Sequence, residues 1–433
     1  MEKRIEVHHL TRVEGHGNII VEIDSDGDIK RVEWQIPEAP RFFEAIVRDQ
    51  NYEYLPFITS RICGICSIGH TIASIKAVES ALSIEVTEQT IELRKLVLHA
   101  ENMQSHSLHV GFLVLPDLFG KKDVIEVAKE NKELVKKMLK IHKLANRLSD
   151  ITAGRTTHPV SLAVGGFYSF PSVRELEKVK KEIEDCKKLL EEVSFEIEKR
   201  IEAFPDFSRE TEYISLSREG EYAFYDGSLM SSDAGYLNGD YIDYIKEYVV
   251  EISTAKHSRH ARESYMVGAL ARFNINSKFL SDFARHISSI FDLKNPCFNP
   301  FMNSIAQLVE IAHNMEESMD IIDDFLSKGI KEERISKVKP KEGRGVGMVE
   351  VPRGLLIHDY VMDSKGRCKR ANLVIPTNQN HANIQKDMEK LVSEIKDRPK
   401  DEIENLLKML VRAYDPCISC STHSLEVKVK WKE

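Results

Sequence analysis

The segment Arg61-Ile62-Cys63-Gly64-Ile65-Cys66-Ser67-Ile68-Gly69-His70 contains a Cys-x-x-Cys pair that is followed by a histidine. Near the other end of the chain, Asp415-Pro416-Cys417-Ile418-Ser419-Cys420-Ser421-Thr422-His423 repeats this arrangement. A Cys-x-x-Cys loop directs two thiolates at one soft metal ion, and two such loops supply four sulfur ligands. The sequence therefore predicts a fold that brings its two ends together around one metal centre.

The surroundings of the two pairs separate two kinds of metal site. On spacing alone, paired Cys-x-x-Cys loops are typical of structural zinc. A zinc ribbon, however, usually closes over a short stretch of chain, whereas these pairs occupy residues 63–66 and 417–420. A structural zinc site also has no need for an arginine before the first pair or an Asp-Pro before the second. The other cysteines, Cys186, Cys297 and Cys368, are isolated, and we interpret them as ordinary small apolar residues.

The composition is that of a globular protein with a large core. Of the 433 residues, 42% are hydrophobic and 30% are charged. The net charge of −8 offers no basic face for nucleic acid, and no apolar run approaches the length of a membrane span. The first residues lack the apolar region of a secretory signal, and the seven cysteines, an odd number, suit a reducing compartment. We therefore expect a cytoplasmic protein.

Hydrophobic periodicity predicts a mainly α fold of the α+β class. Residues 4–10 and 17–36 predict strands, and the second range contains a β-hairpin that turns at Asp24-Ser25-Asp26-Gly27-Asp28. Helical spacing predicts helices at residues 71–82, 88–114, 121–150, 171–203 and about 382–412, and a helical block over roughly 238–330. We expect one domain over residues 1–423: a long-helix bundle with an N-terminal β-hairpin and small peripheral strands.

Gly343-Arg344-Gly345-Val346-Gly347 is similar to half of a dinucleotide-binding loop. Such a loop requires a strand before it and a helix after it. The residues that follow, Met348–Pro352, predict a strand instead. We therefore reject a nucleotide site here.

The two cysteine segments resemble the paired signatures of nickel–iron hydrogenase large subunits. Three further segments match this family in order: Thr11–His16, Val351–Gly354 and Val374–Asn380. Gln379-Asn380 stands where many exported members have Trp-Asn, which favours the cytoplasmic, cofactor-coupled branch. The resemblance implies the hydrogenase large-subunit fold and reversible heterolytic cleavage of dihydrogen.

The resemblance also implies the metal ligands. Cys63 and Cys417 would bind nickel alone, and Cys66 and Cys420 would bridge nickel to an iron that carries carbon monoxide and cyanide. Nickel that cycles between oxidation states needs such soft, anionic sulfur donors. A magnesium ion is implied as well, with Glu44 and His423 as its ligands. Without the resemblance, Glu44 would simply complement the dipole of the helix that begins after Pro40.

Four residues would take part in catalysis if the resemblance holds. A proton from dihydrogen would pass to the thiolate of Cys417 and onward to the carboxylate of Glu14. Arg353 would place a fixed positive charge over the open face of the metals. Asp415, two residues before a metal cysteine, could pair with that guanidinium. The residues implied to surround the diatomic ligands are Pro352, Arg353, Pro376 and Thr377.

Three histidines of the 88–114 helix, His99, His106 and His109, fall on or near one face. Such histidines are mostly satisfied polar groups in a packing layer. By resemblance, His106 occupies the position of a histidine close to the metal cysteines. Ser105 stands where many members have an aspartate, so a proton or water role of that aspartate does not transfer to this chain.

The chain has no further cysteine grouping that could hold an iron–sulfur cluster, yet electrons must leave the centre. The resemblance therefore implies an iron–sulfur small subunit, with further electron-transfer subunits as an option. It also implies a maturation protease that removes the tail 424–433; the alternation in this tail would equally fit a permanent edge strand. Two alternatives to a hydrogenase are a non-catalytic relative of the kind found in respiratory complex I and a structural zinc protein.

Overall fold

The computed structural model describes residues 3–8, 10–335 and 338–422. His423, the expected magnesium ligand, and the tail 424–433, the expected substrate of a maturation protease, lie outside the described residues. The strands, in chain order, are β1 (Lys3–Val7), β2 (Asn18–Ile23), β3 (Ile29–Gln35), β4 (Leu162–Ala163), β5 (Gly166–Phe167), β6 (Glu212–Ser217), β7 (Ser228–Ser231), β8 (Gly235–Tyr236), β9 (Lys246–Tyr248), β10 (His257–Arg259), β11 (Tyr265–Met266), β12 (Gly343–Val351), β13 (Gly354–Met362) and β14 (Cys368–Val374).

The helices provide most of the regular structure of the described chain. In chain order they are α1 (Phe43–Ile46), α2 (Leu55–Thr59), α3 (Ser67–Leu82), α4 (Glu88–Leu108), α5 (Leu115–Leu118), α6 (Val124–Glu130), α7 (Lys132–Ala153), α8 (Val173–Glu198), α9 (Tyr241–Tyr244), α10 (Ala269–Asn276), α11 (Asp282–Ile290), α12 (Asn303–Lys328), α13 (Pro376–Ile395), α14 (Lys400–Ala413) and α15 (Ile418–Ser421). Within the described ranges, none of these helices combines the length and apolar character that crossing a bilayer requires.

The N-terminal strands form an antiparallel sheet in the order β1-β2-β3. The predicted hairpin between β2 and β3 is confirmed. Its turn is held by Asp24, whose Oδ1 accepts the backbone N–H groups of Asp26 and Asp28 at 2.9 Å each. Gly27 supplies the left-handed backbone, with φ +86°, that this tight turn requires.

The predicted long-helix bundle consists of α4, α7, α8 and α12. Helix α4 packs on α7 and α12, and α8 packs on the same two helices, so the four close on one another. Local sequence fixes their ends: Ser172 and Glu175 form a capping box at the start of α8, and Gly154 ends α7 with φ +76°. Asn131 divides the predicted 121–150 helix into α6 and α7, because its side chain caps the second at Leu134 N.

Two helix predictions are wrong in part. The block predicted at 238–330 contains strands β9, β10 and β11. Strands β9 and β10 pair with each other and β11 pairs with the distant β6, and this strand pairing overrides local helical spacing. The helix predicted at 382–412 is two helices. The first, α13, already begins at Pro376, and the second, α14, begins after Pro399, whose missing N–H cannot continue the helical ladder.

The glycines that suggested a dinucleotide loop serve close packing instead. They lie on β12, which pairs with β13 in the sheet β12-β13-β14, and α3 packs across this sheet. A Cβ built on Gly345 would lie 2.1 Å from Ala77 O and 2.2 Å from Ala81 N. Gly343 and Gly347 face the same helix equally closely. Small residues on both elements thus let α3, with Cys66 at its N-terminus, lie directly on the sheet.

We predict that Gly345→Ala lowers the free energy of unfolding by about 3 kcal/mol, because the new methyl group overpacks the contact with the α3 backbone. Urea unfolding of the isolated chain measures this change. Gly27→Ala is the matched control, since Gly27 faces open space and the substitution costs only its left-handed backbone, about 1 kcal/mol. Equal losses in the two variants would contradict close packing of α3 on β12.

Candidate metal centre

The two cysteine segments meet in the interior. The sulfur atoms of Cys63, Cys66, Cys417 and Cys420 all lie within 4.8 Å of one another, and each residue is at most 5% exposed. Cys63 and Cys417 approach to 3.3 Å between sulfurs, and Cys66 and Cys420 to 3.5 Å. Four converging thiols are a donor set for a soft metal, so the prediction that the ends of the chain close on one site is confirmed.

Short helices set the directions of the four thiols. Cys63 has extended backbone after a single 3₁₀ turn, and Cys66 precedes the first turn of α3. Cys417 and Cys420 lie at the start and in the middle of α15. Asp415 makes the bend into this loop, with φ +50°, a conformation that aspartate adopts more readily than most residues.

The four thiols cannot all carry charge by themselves. Hydrogen bonds from the other thiols, that of Cys417 foremost, hold the pKa of Cys63 well below its ordinary value. Burial raises the pKa values of Cys417 and Cys420 well above theirs. Adding thiolates to so small a buried volume is unfavourable unless a cation lies among them, and a metal ion is such a cation. The donor set therefore fits the metal that the sequence implies.

Arg353 lies beside this cluster and pairs with Asp415 as expected. Its Nε donates to Asp415 O at 2.6 Å, and one Nη donates to Asp415 Oδ1 at 2.9 Å. Although burial opposes the charge, Asp415 and the nearby sulfurs raise the pKa of Arg353 well above its ordinary value. The other guanidinium nitrogen, Nη1, is buried and has no hydrogen-bond partner among the described residues. A buried donor next to a metal site is suited to an acceptor ligand of that metal.

The turn that carries Arg353 is held from behind by Arg272, which the sequence analysis missed. Arg272 donates to Val351 O at 2.9 Å and to Pro352 O at 3.2 Å. The same guanidinium binds both carboxylate oxygens of Glu310 at 2.7 Å and one oxygen of Glu350 at 2.8 Å. The sequence does contain a signal for Arg272, which is a charged residue within the apolar run 269–273 of α10. A buried arginine requires partners, so its position there indicates a buried network.

The two carboxylates respond differently to burial. Although burial acts in the opposite direction, Arg272 holds the pKa of Glu310 down at about 2. Burial raises the pKa of Glu350 to about 7, since its contact with Arg272 only partly offsets the lost solvation. The ion pair between Arg272 and Glu310 is thus the stronger of the two, and it lies directly behind the Arg353 turn.

Glu14 contacts the second cysteine loop in two ways. Its backbone O accepts from Ile418 N at 3.0 Å, and its Oε2 accepts from Ser419 N, also at 3.0 Å. The adjacent Gly15 passes so near Ile418 that a Cβ there would lie 2.7 Å from the side chain. The half-buried carboxylate of Glu14 therefore lies against the loop that carries Cys417.

Thr377 and Pro376 lie at the start of α13, next to the same loop. Thr377 Oγ1 accepts the backbone N–H of Cys417 at 3.0 Å, and both residues are buried. Pro376 stands in the first turn of the helix, where its missing N–H costs nothing. Pro352 contributes its carbonyl to Arg272.

Arg41 ties the two cysteine loops together, and the sequence analysis missed it. Its guanidinium donates to Ile62 O at 2.6 Å, Arg61 O at 3.1 Å and Ser419 O at 3.3 Å. Its backbone N–H donates to Thr422 O at 2.5 Å. All four acceptors are backbone carbonyls, so no side-chain pattern in the sequence could reveal this contact.

Glu101 of α4 supports the first loop from the inside. Its two carboxylate oxygens accept the backbone N–H groups of Ile68 and Gly69 at 2.8 and 2.9 Å. These groups belong to the open first turn of α3, directly after Cys66. Burial raises the pKa of Glu101 to about 8. A carboxylate within the buried face of the 88–114 helix was the available signal.

Comparisons with known proteins identify the architecture. A family model described as nickel-dependent hydrogenase matches residues 41–137 and 216–423, and one described as HoxL-like matches residues 4–39. The chain belongs to the nickel-dependent hydrogenase family. It is 33% identical to sulfhydrogenase 1 subunit alpha of Pyrococcus furiosus over 97% of each chain, and 33% identical to sulfhydrogenase 2 subunit alpha of the same organism over 98% of this chain and 100% of that one.

A solved hydrogenase structure has the same fold. An NAD+-reducing NiFe-hydrogenase in the H2-reduced state matches with a TM-score of 0.88 and 25% identity, over 97% of this chain and 99% of that one. The chain is thus the catalytic large subunit of a nickel–iron hydrogenase, an oxidoreductase that acts on dihydrogen. The non-catalytic and structural zinc alternatives are not favoured. A non-catalytic relative is expected to lack the metal cysteines, whereas all four are clustered here.

In this hydrogenase large subunit, Glu44 is not a member of the four-cysteine group and belongs to a second charged group. It is buried at the start of α1, and its Oε1 accepts Leu373 N at 3.0 Å. Lys256 Nζ lies 3.7 Å from Glu44 Oε1 and 3.1 Å from Glu247 Oε2. Glu247 Oε1 is buried without a partner in the part of the chain that the structure describes. The carboxylates of Glu44 and Glu247 carry one more charge than the ammonium of Lys256 neutralises, and this excess negative charge suits a divalent cation.

His106, expected near the metal cysteines, pairs its Nε2 with Glu310 Oε2 at 2.8 Å. The histidine that lies against Asp415 is His109, one turn later, at 3.9 Å from Asp415 Oδ1. Ser105 is buried.

We predict that Arg41→Gln accelerates amide hydrogen exchange in residues 415–422 by about 30-fold. Loss of the hydrogen bonds of the Arg41 guanidinium lowers the free energy that holds this loop closed by about 2 kcal/mol. Exchange monitored by mass spectrometry should report the effect at Ile418 and Ser419, whose N–H groups bind Glu14. The exposed Arg48 lies seven residues further along the chain, and Arg48→Gln is the matched control. Equal exchange in both variants would show that Arg41 does not hold the loop.

Proposed function

We propose that Cys63, Cys66, Cys417 and Cys420 bind a nickel–iron centre whose iron carries carbon monoxide and cyanide. Cys63 and Cys417 would hold nickel alone, and Cys66 and Cys420 would bridge the two metals. The observation that carries this proposal is the buried four-thiol cluster beside the unpartnered Nη1 of Arg353. Such a centre, when bound, supplies heterolytic cleavage of dihydrogen.

We assign the surrounding pocket to four residues. Arg353 Nη1 would donate to a diatomic ligand on iron, and Pro352, Pro376 and Thr377 would line the same ligands. Asp415 holds the guanidinium in place through two hydrogen bonds. Gln307 in turn donates to Asp415 Oδ2 at 3.2 Å. Fixed charge in so dry a site acts strongly on a reacting centre and needs no rearrangement during turnover.

The proton released from dihydrogen is taken up at Cys417 Sγ and passed to the Glu14 carboxylate. The support is positional: Glu14 is bonded to both residues that follow Cys417, and it is half-buried, between the interior and the outside. A carboxylate in this place can receive a proton from the sulfur side and release it toward solvent.

We propose a magnesium ion beside Glu44, with His423 as its second protein ligand. The buried group of Glu44, Glu247 and Lys256 supports a hard cation near this end of the second cysteine segment. His423 lies outside the described residues and directly follows Thr422, which Arg41 binds. Loading of this ion would help to fix the end of the chain.

An iron–sulfur small subunit is the partner that we propose for electron transfer. Exposed apolar side chains flank the first cysteine segment: Phe42, Ile46, Tyr54, Phe57 and Tyr168 are each 41–59% exposed. Phe57 and Tyr168 stack with ring centroids 6.4 Å apart. An apolar face of this kind beside a redox centre is suited to a permanent subunit contact.

We propose that residues 1–423 form the working domain and that a maturation protease removes 424–433 after His423. A cytoplasmic enzyme of the cofactor-coupled branch is supported by the likeness to an NAD+-reducing hydrogenase. Additional electron-transfer subunits would then link the small subunit to the cofactor.

We predict that Glu14→Gln lowers hydrogen-dependent turnover about 100-fold or more while nickel and iron content stay unchanged, because the amide keeps the hydrogen bond to Ser419 but cannot carry the proton. Dye reduction under hydrogen measures the rate. Glu38→Gln is the matched control, since Glu38 is a nearby carboxylate that binds His16 instead of the cysteine loop. Full turnover in Glu14→Gln would remove Glu14 from the proton route.

The metal centre itself is tested by infrared spectroscopy of the enzyme purified with its partners. We expect carbon monoxide and cyanide stretches, and we expect Arg353→Lys to shift the cyanide bands because a fixed planar donor is replaced by a mobile ammonium. Zinc in the preparation with no such stretches would overturn the nickel–iron assignment.

A further inference from the structure

Helix α4 carries polar side chains along one buried stripe. The stripe contains His99, Asn102 and His106 of α4 and continues to His109, which directly follows the last residue of this helix. Their spacings of three and four residues place them on one face. None of the four is more than 5% exposed. A buried stripe at this spacing is ordinarily apolar, so its polarity requires an explanation.

Helix α12 faces α4 with a matching stripe. Gln307, Glu310, Asn314 and Ser318 recur at similar spacing, and each is at most 1% exposed. The two helices pack directly against each other. We call these two facing stripes the polar seam.

Hydrogen bonds at its two ends fix the register of the polar seam. At one end, His109 Nδ1 lies 2.6 Å from Gln307 Oε1, and at the other, His99 Nδ1 lies 3.5 Å from Ser318 Oγ. Numbers rise along one helix as they fall along the other, so the helices are antiparallel. His106 and Glu310 meet in the layer next to His109, at 2.8 Å.

By the register that these pairs set, the remaining layer contains Asn102 on α4 and Asn314 on α12. Both amide atoms of both side chains are buried without a hydrogen-bond partner among the described residues. The same holds for His106 Nδ1 and Ser105 Oγ, which belong to the adjacent turn of α4. Buried polar atoms without protein partners are commonly satisfied by ordered water, because leaving them unpaired is costly.

The polar seam connects two functionally different places. At its inner end, His109 Nε2 donates to Arg412 O at 2.8 Å and lies 3.9 Å from Asp415 Oδ1, beside the metal centre. Lys95, one turn before His99, lies at the outer end with 18% of its side chain exposed and pairs with Glu221. Successive layers are one helical turn, about 5 Å, apart, which one bridging water spans with two hydrogen bonds.

We propose that the polar seam binds ordered water at the Asn102–Asn314 layer and forms a proton passage between the metal-centre side of Asp415 and the surface at Lys95. Water and imidazole exchange protons along their hydrogen bonds, so a proton that enters at one end is matched by one that leaves at the other. No charge is stored and no oxidant is consumed. This passage is additional to Glu14, and the proposal rests on the nickel–iron centre proposed above.

The protonation of the histidines agrees with such a passage. Burial lowers the pKa of His99 to about 3 and, although Glu310 opposes it, lowers the pKa of His106 below its ordinary value. Burial therefore favours the neutral form of both rings. Since His106 Nε2 faces the carboxylate of Glu310, its Nδ1 is the nitrogen that can accept a proton.

Replacing both amides tests the proposal in the purified holoenzyme. Asn102→Leu with Asn314→Leu keeps the branched side-chain shape and removes the unpartnered polar atoms, and the larger methyl groups fill the space that water would occupy, so folding should not suffer. Asn102→Ser with Asn314→Ser is the matched control, because it keeps the layer polar and leaves room for water. A crystal structure of the unmodified holoenzyme should show ordered water between the two amides, and the leucine pair should abolish it while leaving metal content and melting temperature unchanged.

Both pairs are combined with Glu14→Gln so that the residual turnover reports on the passage. We expect the leucine pair to lower this residual rate about tenfold or more and the serine pair to change it by less than about twofold. A dry layer in the unmodified enzyme, an unchanged residual rate in the leucine pair, or no detectable turnover in Glu14→Gln alone would overturn the passage. If Glu14→Gln retains full turnover, the role of Glu14 fails, and the same leucine and serine pairs still test the polar seam.

Discussion

The constraint on which the structure depends is that four buried thiols from opposite ends of the chain must lie within 4.8 Å of one another. Such a cluster is unfavourable without a cation, since burial disfavours thiolates and thiolates repel each other. The protein therefore fixes the second cysteine loop from several directions. Glu14, Thr377 and Arg41 bind its backbone, and Arg353 binds Asp415 at its entrance. Each contact joins segments that are far apart in sequence, so the site depends on the whole fold.

A second principle is that buried charges are arranged in linked pairs. Arg353 pairs with Asp415, and directly behind its turn Arg272 binds Glu310 and Glu350. Removing one member of such a group leaves another buried charge uncompensated, which costs more than the intact pair contributes. The network fixes the position of its members. The guanidinium of Arg272 donates to five acceptor atoms and therefore cannot reorient. The Arg353 turn is thus fixed by Arg272 of α10 together with Glu310 of α12 and Glu350 of β12.

Much of the fold could be predicted from the sequence, where local signals are strong. The hairpin at Asp24–Asp28 follows from turn-forming residues, and the bundle helices follow from long periodic stretches with clear caps. The prediction was wrong at residues 246–266, where β9 and β10 pair with each other and β11 pairs with the distant β6, and at Pro399, which divides a helix. The packing role of the glycines at 343–347 could not be predicted from the neighbouring residues, because the backbone that they contact belongs to α3, elsewhere in the sequence.

The sequence by itself determined the chemistry of the centre, because two Cys-x-x-Cys loops with their flanking residues define the donor atoms whatever the fold. The family resemblance was carried by the same residues. Only the tertiary structure decided which residues hold those donors in place. Arg41 acts on backbone carbonyls, and Arg272 acts through carboxylates from other elements. The polar seam likewise exists only where α4 and α12 face each other. Hydrogen bonds and burial act through space, and a linear pattern does not record which distant segment supplies the partner.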